Sequence, residues 1–551
     1  MVLAGMVLGL ALFYRGGALS VALVGLLIFG ALVLLRPDLG LLFVPLAAPL
    51  YLIPAAIEGI RPRTFLLPLH EAVLLVVLGA VAARWLLRLA TGSAIHTPFD
   101  HRITPADIRR FAPELLFLLA GTAGVLVALN DPEPRSAALR EFRRLIVEPV
   151  LFYALLKYSM GAGARHRETD PGDRASRATR RALLIVGAFV LGGALVGLLG
   201  LLQFAGVDVV EPLFGQKQAF SENVIEVDGV RRVTSVYGHP NNLGLYLGRV
   251  WPIAAVLAIA QARRTAQRTK PQATRLPALF FGICALLCLG GIVVSFSRGA
   301  WLGAAAALGV LVFYSTTGAR GWAVSDSQRA ADEGRTNRRA EEDSGKLSLA
   351  LLGPGSPRLR LGGVGSRRVA VGSLAALSAA LVLVGGLAVV VRGGLASGSA
   401  GMRVLLWREA AALLGQHPLG IGLDQFYYYH NPEFGRSRID PVLVGTSEQF
   451  ASHPHNLALN TWLSLGPLGL VAFTWLIVRF FRAALHGARA AGDAFVAYAA
   501  ALSVGVLAAM VAALLHGLVD NFYFVPDLAF AFWLLLALAE VAAACRPESS
   551  Q

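Results

Sequence analysis

Residues 451–470, Ala-Ser-His-Pro-His-Asn-Leu-Ala-Leu-Asn-Thr-Trp-Leu-Ser-Leu-Gly-Pro-Leu-Gly-Leu, change character part-way. His453, His455 and Asn456 close a long polar segment, and from Leu457 the chain turns apolar and reads as a membrane helix to about Val478. A histidine at the rim of a bilayer costs free energy to desolvate and is usually kept for work. The stretch reads as the junction of a membrane helix with a reactive polar loop.

The same apolar texture extends outward from it. Of 551 residues, 56% are hydrophobic and 15% are charged, against about 25% charged in a soluble domain. Mean hydropathy is +0.62. This excludes the soluble classes and indicates an all-α polytopic membrane helix bundle. The net charge of +15 then reports loop orientation, not nucleic-acid binding. Three cysteines are too few for a disulfide framework and show no metal-type spacing. Cys284 and Cys288, one turn apart in an apolar run, read as packing residues. The first apolar run is followed by another, which points to a retained span and not a cleaved signal peptide.

Runs of spanning length, about 17–25 residues, fall near 18–35, 39–57, 69–90, 113–130, 145–160, 182–205, 236–260, 276–295, 299–315, 369–392, 457–478, 492–517 and 522–543. With a short run at 1–14, about 12 to 14 helices are expected. Basic residues crowd loops 84–112, 157–181, 261–275 and 316–368, and the short loop of Arg479, Arg482 and Arg489. The positive-inside rule places these in the cytoplasm. The chain divides into an N-terminal bundle at 1–315, the basic loop 316–368, a span at 369–392, an extracytoplasmic loop at 393–456, and C-terminal spans at 457–551. The basic loop is expected to be largely disordered over 320–366. In the outer loop, 401–414 has amphipathic spacing, with Val404, Leu405, Ala411 and Leu414 apolar and Arg403, Arg408 and Glu409 polar. Gly420-Ile421-Gly422 then turns the chain, and residues 426–430 put an aromatic cluster near the bilayer.

Candidate site residues gather on the outer side of these spans. Arg298, in Ser295-Phe-Ser-Arg-Gly-Ala-Trp-Leu-Gly303, sits in a short turn between two apolar runs. Its planar fork suits phosphate; a lipid-headgroup anchor is the bland alternative. Arg232 and Arg249 flank the helix entry Gly238-His-Pro-Asn-Asn-Leu-Gly244. Arg249 lies deeper and calls for an anion or carboxylate partner. Asn241 and Asn242 read equally well as helix caps. Arg403 and Trp407 open the outer helix. His516 and Asp520 stand at the outer end of the penultimate span, where Asp520 can orient His455 or pair with an arginine. His453-x-His455 would bind zinc only if further ligands such as His430 and Asp440 converged; the reading is of no metal and no cofactor.

Several of these segments resemble one family. His455-Asn456, nine residues, then Gly466-x-x-Gly469 is similar to the His-Asn-x9-Gly-x-x-Gly pattern of the O-antigen ligase / O-antigen polymerase family. The strings Ser297-Arg-Gly-x-Trp-Leu-Gly303 and Gly401-x-Arg403-x3-Trp407 are similar to two more of its recurrent segments. The resemblance is motif-specific from about 231 to 525 and departs at the basic loop 316–368. It implies a bacterial inner-membrane enzyme, working on the extracytoplasmic face among membrane lipids. Such an enzyme moves a glycan from undecaprenyl pyrophosphate to a hydroxyl of a lipid, glycan or protein acceptor. His455, Asn456 and Arg298 would be catalytic. Arg232 or Arg249, with Arg403, His453, Asn242 and Asp520, would bind substrate. Arginines can hold the leaving pyrophosphate without a metal, and histidine is the side chain poised near neutral pH to activate the acceptor. Attack opposite the leaving group inverts the anomeric centre. The motifs do not separate ligase, polymerase and protein O-oligosaccharyltransferase. A transporter or flippase of a lipid-linked sugar is the competing class; it would show two matching halves, and none is visible.

Overall fold

A bilayer tolerates a chain only where its backbone polar groups are paired internally, which leaves helices and closed barrels. The structure, a computed structural model, describes residues 1–58, 65–91, 109–130, 135–161, 171–207, 209–214, 226–227, 230–267, 272–315, 399–435, 439–488 and 494–544. Among these residues, eight helices are long and apolar enough to cross a membrane. They are α1 (Leu69–Thr91), α2 (Ala178–Phe204), α3 (Pro240–Arg263), α4 (Arg275–Val294), α5 (Arg298–Ser315), α6 (Leu457–Ala488), α7 (Tyr498–Gly517) and α8 (Pro526–Ala544). Val2–Arg15, Leu19–Leu35, Pro37–Leu50 and Ala112–Ala128 are shorter apolar helical segments. Strands among the described residues are confined to two small hairpins. The protein is an all-α polytopic membrane protein. The basic loop 316–368, the span at 369–392 and Cys545 lie outside the described residues; Cys284 and Cys288 are buried and unbridged.

Three sequence expectations need correction. The run 39–57 is no single span: it breaks into Pro37–Gly40, Phe43–Ala47, a 3-10 turn at Ala48–Leu50 and a strand at Ala55–Ile57. Pro45, Pro49 and Pro54 each lack an N–H and disrupt helical continuity. Arg479 and Arg482 lie on α6 and not in a loop, because that helix continues to Ala488. The loop helix, Ser399–Gln416, buries Leu406, Ala410, Leu413 and Glu409, while Val404 is exposed. Its inner face is therefore turned from the one expected, because Glu409 has a buried partner.

Helix α8 is apolar on every side, and such helices are interior. Every residue from Leu528 to Ala539 is at most 2% exposed. It packs against α2, α3, α6, α7 and the helix Glu148–Gly161. Around Trp533 the rings of Phe117, Tyr153 and Phe532 pack at 5.1–6.0 Å, and its indole N–H donates to Tyr523. At one end of the bundle Glu540 accepts from Tyr153, Lys157 and Arg479, and Arg479 also reaches Glu114 at 2.7 Å. At the other end the chain between α7 and α8 carries Asp520.

Helix α6 is broken inside its first turns. Gly466 has φ +70° and ψ −176°, and Pro467 has no N–H to give the carbonyl of Leu463. That carbonyl instead accepts from Ile421 and Gly422 of the loop, at 2.8 and 3.1 Å. Trp462 Nε1 donates to the Pro418 carbonyl at 2.9 Å. The backbones approach so closely that a Cβ at Gly466 would lie 2.6 Å from the Leu419 oxygen. The kink thus docks the loop onto the helix that carries His455 at its start.

Candidate active site

Asp520 is the hub. Its Oδ1 lies 3.0 Å from His455 Nδ1. Its Oδ2 accepts from Asn241 Nδ2 at 2.6 Å and from Arg403 at 3.4 Å. Asn241 in turn accepts from Arg232, whose Nε also donates to the Ser295 carbonyl at 3.2 Å. On its other side, His455 Nε2 lies 3.3 Å from Glu448 Oε2. One chain of contacts therefore runs from Arg232 through Asn241, Asp520 and His455 to Glu448. It joins the entry to α3, the α7–α8 connection, the start of α6 and the loop.

The electrostatics follow from this arrangement. Burial disfavours the charged imidazole of His455, but the charges of Asp520 and Glu448 and their hydrogen bonds outweigh it and raise its pKa from 6.5 to about 9. Burial likewise opposes the Asp520 and Glu448 carboxylates, yet the His455 charge holds Asp520 well below the usual range and Glu448 below it too. Burial pushes His453 down to about 3 and His239 down to about 4. At neutral pH the site thus holds one imidazolium between two carboxylates, with neutral histidines beside it. His455 has φ +48°, an uncommon conformation that side chains other than glycine adopt at a cost. Ser235 and Phe296 share it, and both lie in segments that build the site; such strain clusters at functional positions.

The other expected residues fall as follows. Arg298 opens α5 and is half-buried, three positions past the Ser295 carbonyl that Arg232 holds. Gly299 meets α7 so closely that a Cβ would lie 2.3 Å from the His516 ring, and one at Gly303 would lie 2.7 Å from the Ala512 carbonyl. The glycines of that string let α5 and α7 touch. Ser297 Oγ is 3.5 Å from His516 Nε2. Asn456 caps α6, accepting from Leu459 N and donating to the Leu518 carbonyl, each at 3.1 Å. His453 accepts from the His455 N–H at 3.3 Å. Trp407 Nε1 donates to the His455 carbonyl at 3.3 Å.

Asn241, not Asn242, has the side chain that bonds Asp520. Arg249 is fully buried beneath the site; it donates to the Leu245 and Phe522 carbonyls and lies 4.9 Å from the Phe522 ring. Its hydrogen-bond partners are backbone carbonyls, with the Phe522 ring and the charge of Asp527 adding attraction. His453, His455 and Asp520 bring ligand-type atoms within 4.8 Å of one another, but His455 and Asp520 are already bonded to each other. Of the further ligands weighed, His430 turns to Glu409 and Asp440 caps its own turn. Glu448 escaped sequence reasoning, and of the adjacent pair the sequence reading carried forward Asn242 where Asn241 makes the bond. Glu448 was one acid among several in the loop, with no spacing to single it out.

The family model described as O-Antigen ligase matches residues 283–474. That segment is similar to O-antigen ligases. It contains Arg403, Glu448, His453, His455 and Asn456 of the site, together with Arg298 and the Gly466 kink. Arg232, Asn241 and Asp520 complete the cluster from outside the matched segment. The O-antigen ligase match supports a membrane glycosyltransferase-like role, ligase or polymerase. No curated protein matches the chain.

Proposed function

We propose that this protein transfers a glycan from a polyprenyl pyrophosphate, undecaprenyl in a bacterial inner membrane, to an acceptor hydroxyl on the extracytoplasmic face. The observation that carries the reading is His455 held between Asp520 and Glu448 beside Arg403. The acceptor O–H gives its proton to Glu448 and its oxygen bonds to the anomeric carbon. The bond from that carbon to the phosphate oxygen breaks, and its electron pair leaves with the polyprenyl pyrophosphate. Arg232, Arg298 and Arg403 receive the developing charge. Attack opposite the leaving group inverts the centre. An imidazolium cannot take a proton, so His455 works as a fixed positive charge that keeps Glu448 ionised and in place, with Asp520 orienting it. This replaces the simpler expectation of His455 as the base. Asn456 positions the histidine by capping α6, and Arg249 supports the bundle below.

The test is transfer by the purified protein in detergent, given undecaprenyl pyrophosphate-linked oligosaccharide and a chelator, with His455→Ala alongside. Transfer should fall at least about 100-fold in the variant, the usual loss when one preorganised charge is removed from a site. A ladder of longer lipid-linked glycans identifies a polymerase; a single addition that needs a lipid or protein acceptor identifies a ligase. Full activity in His455→Ala, or carrier crossing a liposome bilayer without product, overturns the proposal.

A further inference from the structure

We propose that His430 and Glu409 are positioning residues: together they clamp the turn that holds Glu448 against His455. The inference rests on the site reading above. Glu448 lies in a four-residue 3-10 turn, Ser447–Phe450, a short element with little regular structure of its own to fix it. The backbone carbonyl of Glu448 accepts from His430 Nε2 at 2.7 Å. A carbonyl only accepts, so Nε2 carries a hydrogen. His430 Nδ1 faces the Glu409 carboxylate at 2.8 Å, and the doubly protonated ring satisfies both partners. Burial disfavours that charged form, but the Glu409 hydrogen bond and charge prevail and raise its pKa.

The pair is built in, not incidental. His430 is fully buried and Glu409 is 8% exposed, and the imidazole stacks on Phe426 at 5.4 Å and 12°. Glu409 lies on the loop helix among Leu406, Ala410 and Leu413, and the same helix carries Arg403 and Trp407. The loop helix therefore reaches the site twice. Arg403 and Trp407 touch Asp520 and the His455 carbonyl; Glu409 acts through His430 and the Glu448 backbone. Releasing the clamp lets Glu448 leave His455, and the imidazolium loses one of its two anions. The remaining charged or titratable groups around His455 are Asp520, Arg403, His453 and His239.

The experiment follows His455 itself. Ring resonances of isotope-labelled histidine in the full chain are titrated, and His455 is assigned by its loss in His455→Gln. The native midpoint is expected near the raised value of about 9. In His430→Phe, which keeps the stack, and in Glu409→Leu, which strips the ring of its Nδ1 partner, it should fall by at least about one pH unit, the usual effect of one nearby opposite charge. Glu448→Gln should produce the same fall, and His430→Phe combined with Glu448→Gln should fall no further than Glu448→Gln alone. An unchanged midpoint in the single variants, or additive shifts in the double, overturns the clamp. If His430→Phe fails to fold, Glu409→Leu carries the test. The readout needs no transfer activity. Shifted midpoints with unimpaired transfer would keep the clamp and remove the role given to Glu448.

Discussion

His455 makes the protein sensitive to pH in two opposite directions. Its pKa is raised in the folded state to about 9, so its contribution to stability is fully present below the unfolded value near 6.5 and is lost as pH rises through about 9. That contribution is roughly 3 kcal/mol at about 1.4 kcal/mol per pKa unit. Asp520 and Glu448 are lowered; their share is present above the ordinary carboxylate range and is lost on acidification. Thermal unfolding should therefore show greatest stability from about pH 5 to 6.5 and a decline from there to about pH 9 that His455→Gln lacks. Transfer should hold to higher pH and fall through about 9 if the imidazolium is the working form. A rate that instead climbs through pH 9 would restore neutral His455 as the base. At this scale the sequence was informative where a polar residue interrupts an apolar run. Arg298, in the turn between two apolar runs, stood out in this way; His455 and Asp520 stood out at the ends of spans, and Arg403 through its motif. Asn241 and Asn242 did not separate, because adjacent positions on a helix differ by about 100° and only the neighbouring chain decides which one faces Asp520.

The decisive element is the kink in α6. Gly466 and Pro467 free one carbonyl, and two loop amides take it. Gly466→Ala must place a Cβ 2.6 Å from the Leu419 oxygen, at a positive φ, and should cost about 1–3 kcal/mol. The expected signature in hydrogen exchange is faster exchange at Ile421 and Gly422 with little change in α8. Gly299→Ala should press on His516 and part α5 from α7; reduced transfer with the donor's apparent affinity weakened would mark that separation. The motif glycines were legible as a pattern, but their reason lies in backbone contact between distant segments. The loop helix misled for a related cause. An acidic residue such as Glu409 reads as solvent-facing until its buried partner is known, and His430 lies far along the loop.

Over the whole molecule, charge is gathered at the two ends of an apolar bundle. The cluster of Glu114, Tyr153, Lys157, Arg479 and Glu540 draws on four helices and lies at the end away from His455. Removing one partner of a buried pair costs about 3–5 kcal/mol. Arg479→Ala should lower the unfolding temperature strongly while the pH profile of transfer in the surviving protein keeps its shape. The all-α membrane character was plain from composition alone, since about 15% charge across 551 residues leaves no soluble alternative. Which helix sits innermost was not, because every span is apolar and only packing ranks them. That rank has a consequence for biosynthesis. A chain is made from its N-terminus, and here the most enclosed helix is the last described one, with Asp520 on the connection just before it. The earlier spans must wait in the membrane with a gap at their centre. Closure of the bundle around the Asp520 cluster is thereby tied to synthesis of α8, so a product truncated before α8 should leave its centre unfilled.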